Sequence, residues 1–271
     1  MLFATRVSGV RRASPGFLRL SLSGPDLDHF APCGLDQRVK LLVPGTAGLP
    51  EPLTDDLLHE PRWREVWRGL PEEAGPPVRS GPPSAVRPDR AEVDPGVYVH
   101  ERPGAATAWA AGGMAGAPAL LSGPDVRRGA PRHGIPWDPG PAVRRVLLAG
   151  DETACPVIRN IAAVTAGDPG LHRGVLLEAG EAEDTAALRA ALPGARCHPC
   201  SAAVGSPAGR RRAVRPPRSA ADAVRLGEGF HARPAAEGTR VAGIRDGLRA
   251  AGAPPRRIHS QGYRHDRVRA S

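Results

Sequence analysis

The chain predicts an antiparallel β unit followed by an α/β unit built on a parallel sheet, and three features of its 271 residues carry that expectation. Residues 7–44 alternate apolar and polar positions, in Phe17-Leu18-Arg19-Leu20-Ser21-Leu22 and again in Arg38-Val39-Lys40-Leu41-Leu42-Val43. Such alternation, broken by Gly and Pro, belongs to antiparallel strands with one solvated face. Beyond residue 141 it gives way to continuous apolar runs separated by helical patterns, the rhythm of a parallel sheet covered on both faces. The Pro/Gly-rich stretch 129–141 lies between and sets the expected boundary, with residues 1–141 in one domain and 142–271 in the other.

In the first unit, residues 50–69 mix acids with Trp63 and Trp67, four apart as on one helical face, and predict a short helix or ordered loop anchored by the tryptophans. The segment 75–95 holds Pro76, Pro77, Pro82, Pro83, Pro88 and Pro95, so a central strand there would lack ladder donors. A cleaner strand comes next, Gly96-Val97-Tyr98-Val99-His100. Gly104-Ala105-Ala106-Thr107-Ala108-Trp109-Ala110-Ala111 then reads as a glycine turn entering a helix, whose first N–H groups suit a phosphate.

The second unit opens with the apolar strand Arg145-Val146-Leu147-Leu148-Ala149, which ends in Gly150-Asp151-Glu152-Thr153 and a helical pattern over 154–164. Gly174-Val175-Leu176-Leu177-Glu178 is a second strand, 182–192 and 241–251 are helices, and 258–263 is a last short strand. Residues 201–235 show no apolar period and are expected to be irregular, although a parallel sheet should place a strand and crossover there.

Composition narrows the function classes. Lys and Arg number 37 against 28 acids, and the excess sits at the end: residues 201–271 hold 15 Arg and five acids. Lys40 is the single lysine. A basic tail attracts anions, but Phe230 and Tyr263 are its only aromatics, too few for the interleaved pattern of a nucleic-acid reader, so no nucleic-acid partner is expected. No apolar run reaches eighteen residues and the start lacks a basic and then apolar leader, so the expectation is no membrane association and a cytoplasmic home. Four scattered cysteines, Cys33, Cys155, Cys197 and Cys200, predict reduced thiols, and the Cys197-His198-Pro199-Cys200 pair is read as structural. No two histidines stand three or four apart, so no metal site is expected.

Leu148-Ala149-Gly150-Asp151-Glu152-Thr153-Ala154-Cys155-Pro156-Val157-Ile158 resembles the L-A-G-D-E-T-A-x-P-A-I signature of the siderophore-interacting proteins, flavin-dependent ferric-siderophore reductases of the ferredoxin-reductase-like superfamily. Further strings agree in order: Ser23-Gly24-Pro25-Asp26-Leu27, Asp36-Gln37-Arg38-Val39-Lys40-Leu41-Leu42-Val43-Pro44, Val99-His100 followed by Gly104 and Trp109-Ala110, Ser122-Gly123-Pro124, and Gly262-Tyr263-Arg264. The resemblance implies an N-terminal antiparallel FAD-binding β-barrel of ferredoxin-reductase type followed by a Rossmann-like parallel α/β domain that binds NAD(P)H. It implies FAD held by Arg79, Val97, Val99, His100, Gly104, Ala106, Thr107 and Trp109, with NADPH or NADH read by Gly150, Asp151, Glu152, Thr153 and Glu237. Electrons from the nucleotide, or from a ferredoxin, would reduce the Fe(III) of a ferric siderophore and release Fe(II), in a protein expected to be monomeric and to need no catalytic acid.

The chain departs from the family pattern in places. Counting back from the 96–100 strand sets the family's R-x-Y-T at Arg79-Ser80-Gly81-Pro82, so only the arginine is kept, and a second arginine further on is Ser84. Glu101 replaces the glycine after His100, the string before the last helix is Pro234-Ala235-Ala236-Glu237, and the tryptophan of G-Y-W-R is missing. These losses predict weakened flavin binding, and the alternative is a flavin-free siderophore-binding protein or a decayed member of the family.

Overall fold

A computed structural model describes residues 1–54, 59, 61–99, 103–129, 134–179, 183, 186, 189–190, 192, 196–199 and 229–264. The chain divides into two compact units, Met1–Pro136 and Trp137–Ser271. Composition places the break near 141; the fold places it earlier because Trp137 is buried in the second unit, edge-on to His231 with ring centroids 5.3 Å apart.

The first unit is a seven-stranded antiparallel sheet of β1 (Leu2–Ser14), β2 (Phe17–Ser23), β3 (Val39–Leu42), β4 (Val78–Gly81), β5 (Pro83–Arg87), β6 (Glu92–Tyr98) and β7 (Pro118–Ser122), in the order β4-β3-β7-β1-β2-β6-β5. Its two edge strands, β4 and β5, are separated in sequence by Pro82 alone. A single residue cannot span a flat seven-stranded sheet, at about 3.5 Å per residue against about 4.8 Å per strand, so the sheet curls until its edges are neighbours. Of the prolines of 75–95, Pro83 thus opens an edge strand, Pro76, Pro77, Pro82 and Pro88 lie outside strands, and Pro95 alone sits in an interior strand, β6.

Leu18, Leu20 and Leu22 of β2 alternate inward and join Leu41, Val93, Val97 and Leu121 in the barrel core, and α3 (Ala105–Ala111) adds Ala106 and Ala110 to the same cluster. On the other face of β3 and β7, α1 (Glu51–Thr54) and α2 (Arg62–Gly69) cover Leu2, Leu42 and Leu120 with Leu53 and Trp63. The tryptophan anchor expected in 50–69 is therefore Trp63, fully buried, while Trp67 donates to the Pro76 carbonyl at 3.3 Å. Buried Asp94 on β6 ties three strands by accepting from Arg19 Nε on β2 at 2.7 Å and from Arg87 on β5 at 2.6 Å. Burial pushes the Asp94 carboxyl up, but hydrogen bonds from Arg87 and Ser21 with the Arg19 charge outweigh it and hold the group below its ordinary value.

The second unit carries a five-stranded, wholly parallel sheet: β8 (Arg145–Asp151), β9 (His172–Ala179), β10 (Arg196–Pro199), β11 (Phe230–Glu237) and β12 (Gln261–Arg264), ordered β10-β9-β8-β11-β12. The helix α4 (Cys155–Val164) follows β8 and α5 (Gly238–Ala250) follows β11. One expectation needs correction: residues 201–235 are not irregular throughout, because β11 begins at Phe230 and all eight of its residues are buried. Its sequence, with His231, Arg233 and Pro234, has no apolar run, yet Arg233 donates to the His259 carbonyl at 3.1 Å and alanines fill the rest. Cys197 lies in β10, whereas Cys200, residues 201–228 and most of the expected 182–192 helix lie outside the described residues.

Among the described residues no helix is long and apolar enough to cross a membrane, and no group of His, Cys, Asp or Glu is set to hold a metal.

Candidate functional site

Two residues expected to hold FAD meet in the first unit. Arg79, on edge strand β4, donates from its guanidinium to the hydroxyl of buried Thr107 in the first turn of α3 at 3.2 Å. Arg79 lies opposite Leu41 on β3 and Gly81 opposite Val39, two core residues, so both β4 positions share the inner face. The α3 N-cap, Gly104, is extended and offers no side chain to the helix, leaving its leading N–H groups free of a side-chain acceptor. A guanidinium, a hydroxyl and uncapped helix N–H groups form an all-donor set, which suits the phosphates of a dinucleotide. The ring end fits less well: a Cβ on Gly81 would meet nothing within 4 Å, so an open space stands where the family carries an aromatic.

The other expected FAD residues are placed differently. Val97 and Ala106 are committed to the core, Val99 and Trp109 pack against it, and the Val99 N–H donates to the Gly16 carbonyl at 2.8 Å. Their side chains build the wall behind the donor set, and His100 lies outside the described residues.

In the second unit the residues expected to read a nicotinamide nucleotide converge at the carboxyl ends of β8 and β11. Buried Asp151 accepts from the Thr153 N–H at 3.0 Å and from the Thr153 hydroxyl through one oxygen, and from the Glu237 N–H at 2.9 Å through the other. Glu237, also buried, caps α5 by accepting from Thr239 N–H at 2.9 Å and Arg240 N–H at 3.1 Å. Glu178, beside Asp151 in register, faces Arg240 at 3.5 Å, and half-buried Glu152 adds a further acid. Gly150 is required by packing, since a Cβ there would stand 2.1 Å from the Ala235 carbonyl oxygen and 2.6 Å from Ala154 Cβ. Glu237 thus caps α5, and Asp151 caps the 3-10 turn (Glu152–Ala154) that leads into α4, whereas the α4 N-cap, Ala154, makes no side-chain bond of its own.

A third feature is one the sequence pattern did not single out. A cleft of about 670 Å³ is lined by Asp125, Arg127 and Arg128, just after β7. Asp125 grips the Arg127 guanidinium at 2.7 Å, and those hydrogen bonds hold its carboxyl below the usual range. Arg128 donates to His59 Nε2 at 2.7 Å and has no carboxylate partner among the described residues. Desolvation and the Arg128 charge both lower the His59 pKa, keeping the ring a neutral acceptor. The adjacent basic pair was the available signal, and the Ser122-Gly123-Pro124 string leads into it because a Cβ on Gly123 would strike the Phe30 ring at 2.1 Å.

Comparison with known proteins adds three findings. Residues 6–128 match the family model described as the siderophore-interacting FAD-binding domain. An uncharacterised protein of Mycobacterium tuberculosis is 31% identical over 194 residues, which are 70% of this chain and 62% of that protein, as is one of Mycobacterium bovis. The chain thus spans about 62% of the length of the curated relatives it matches. Among solved structures, the siderophore-interacting protein SipS from Aeromonas hydrophila superposes with a TM-score of 0.65 at 19% identity, covering 98% of this chain and 92% of that one. A siderophore utilization protein from T. fusca gives 0.65 at 18% identity over 99% and 94%. Phthalate dioxygenase reductase, an electron-transfer protein, gives 0.59 at 12% identity over 96% and 68%. At these identities the likeness is one of fold.

Proposed function

From the match of residues 6–128 to the siderophore-interacting FAD-binding domain, we propose that the chain is a flavin-linked ferric-siderophore reductase of the cytoplasm, acting as a monomer. The observation that carries the proposal is the Arg79–Thr107 hydrogen bond, which joins the one retained arginine of the flavin motif to an uncapped helix start. FAD, when bound, supplies the conversion of paired electrons into the single electrons that Fe(III) accepts.

Arg79, Thr107 and the first N–H groups of α3 are the residues that would hold the pyrophosphate of FAD, the guanidinium supplying charge and the hydroxyl and helix N–H groups further donors. Val97, Val99, Ala106 and Trp109 hold β6 and α3 in place around them. The substrate is a ferric siderophore, an anionic oxygen chelate whose affinity falls once iron is Fe(II). Arg127 and Arg128 give it a cleft of suitable charge, with Asp125 fixing Arg127 and neutral His59 fixing Arg128. The arginines of 201–271 raise its local concentration. The electron source is NADPH, NADH or reduced ferredoxin, received by the second unit, whose parallel sheet turns its carboxyl ends to ligands in this class of fold.

A flavin-free siderophore-binding protein is the second reading, favoured by the open space at Gly81 and by Pro82, which has no N–H to offer a flavin. One experiment separates them: add excess FAD to the purified protein, desalt, and record the visible spectrum. Retained flavin that bleaches with an anaerobic donor and recovers on adding a ferric siderophore supports the reductase. A folded protein that emerges colourless overturns it.

A further inference from the structure

We infer that the carboxyl edge of the parallel sheet is closed to a dinucleotide's pyrophosphate, and that Asp151 and Glu237 are the residues that close it. The inference deepens the reductase reading, on which it rests for the presence of an electron donor.

A helix start beside the carboxyl ends of parallel strands binds phosphate when its leading N–H groups are unpaired and its neighbours are small. Neither condition holds here. The Thr153 N–H and hydroxyl are taken by Asp151, the next turn contains Pro156, which has no N–H, and the Thr239 and Arg240 N–H groups are taken by Glu237. Asp151 also holds the Glu237 N–H, so the two acids lock the ends of β8 and β11 to each other. Both are buried, at 5% and 7% exposure, and cannot swing into solvent to make room. Glu178 occupies Arg240, the cation of the first α5 turn, at 3.5 Å. A pyrophosphate would find the Thr153 N–H and the first α5 donors spent, a proline in the first turn of α4, and two carboxylates facing it. Gly150 offers no approach either, since the space beside its Cα is filled by the Ala235 carbonyl and Ala154. The donor is therefore held through groups other than a pyrophosphate at these helix starts, and the two acids act as specificity-determining residues.

The test is a calorimetric titration of inorganic pyrophosphate, and then of NADPH, into the full chain at physiological salt, for the wild type, Glu237→Gly, Glu237→Gln and Asp151→Asn. Pyrophosphate held by arginines elsewhere gives the same background in all four proteins. Glu237→Gly, a tolerated N-cap residue, frees two N–H groups and is expected to bind pyrophosphate at least tenfold tighter than the wild type. Glu237→Gln and Asp151→Asn keep an acceptor but lose the charge, and are expected to gain less. If Asp151→Asn proves unfolded by circular dichroism, the two Glu237 variants decide. No gain in any folded variant, or a loss of binding on substitution, overturns the inference. FAD retention, read by absorbance in the same samples, reports separately on the reductase reading: a colourless wild type sinks that reading without touching the pyrophosphate result.

Discussion

The two units treat the start of a helix in opposite ways. In the first, α3 begins at Gly104 with no side-chain cap, and the Arg79 guanidinium donates to the Thr107 hydroxyl in its first turn. In the second, α5 begins under Glu237 and the turn leading into α4 begins under Asp151. The same partial positive charge is left available in one place and neutralised internally in the other. Neighbouring side chains, more than the helix or the strand before it, decide whether such an end receives a phosphate or becomes a structural joint.

The largest expected effect attacks the joint. Gly150→Ala drives a Cβ into the Ala235 carbonyl, where two backbone segments have no flexible end to yield. The expected cost is up to about 3 kcal/mol, seen as a lowered midpoint for the second unit's thermal transition. A variant that melts like the wild type would show that β8 and β11 can separate without penalty, and the joint would lose its meaning.

Acid reaches the same unit by another route, at comparable size. His231 is buried on β11 beside Trp137, its Nε2 has no partner among the described residues, and burial with the charges of His259, Arg257 and Arg233 lowers its pKa from 6.5 to about 4, against a small opposing pull from Asp138. The unfolded imidazole takes its proton as pH falls through 6.5 while the folded one resists until about 4, so the unfolded state binds more protons across that window. Stability is full above pH 6.5 and falls by about 3 kcal/mol on the way to pH 4, since each tenfold difference in proton affinity between the two states is worth about 1.4 kcal/mol. Denaturant melts at pH 7 and pH 4.5, followed by far-ultraviolet circular dichroism, measure it, and His231→Phe is expected to flatten the dependence.

How much of this was legible from sequence depended on whether a residue's job was apolar. Strands β2, β3 and β8 declare themselves by pattern, whereas β11 is fully buried yet spelled with His231, Arg233, Pro234 and Glu237, of which the Arg233 side chain and the Glu237 N–H find partners 26 and 86 positions away. The edge position of β4 and β5 is likewise a property of sheet order, invisible in a proline-rich stretch. At the site, counting along the flavin motif reached Arg79, and the helix pattern reached Thr107. Their contact needed the curled sheet. Asp151 and Glu237 were legible as residues of interest, and their caps are local, on Thr153, Thr239 and Arg240, but the bond that joins one to the other spans 86 positions.

The donor set of the first unit can be broken directly. Arg79→Ala removes the guanidinium while leaving Thr107 and α3 in place, and a charge-assisted pair of this kind is worth about 2 kcal/mol. FAD affinity, measured by flavin fluorescence quenching, is expected to fall about thirtyfold. Arg79→Lys should recover only part of it, since an ammonium cannot present two parallel donors. An unchanged affinity in Arg79→Ala would place the phosphates elsewhere and remove the contrast with the second unit.

The smallest effect runs the other way, toward tighter binding. Gly81 shares the inner face with Arg79, and nothing lies within 4 Å of the position a Cβ would take, so Gly81→Tyr enters space rather than the core. Its place at the end of edge strand β4 spares the ladder, and leaving glycine lowers the unfolded chain's entropy. Stacking on a flavin ring adds about 1 kcal/mol beyond area, about fivefold in FAD affinity by the same fluorescence titration. Gly81→Leu, of similar reach but without a ring face, separates stacking from simple burial. A gain confined to tyrosine means that the first unit holds its flavin by the phosphate end and lacks only the ring's cover. An equal gain for leucine assigns the open space to bulk alone, and no gain for either puts the ring away from β4.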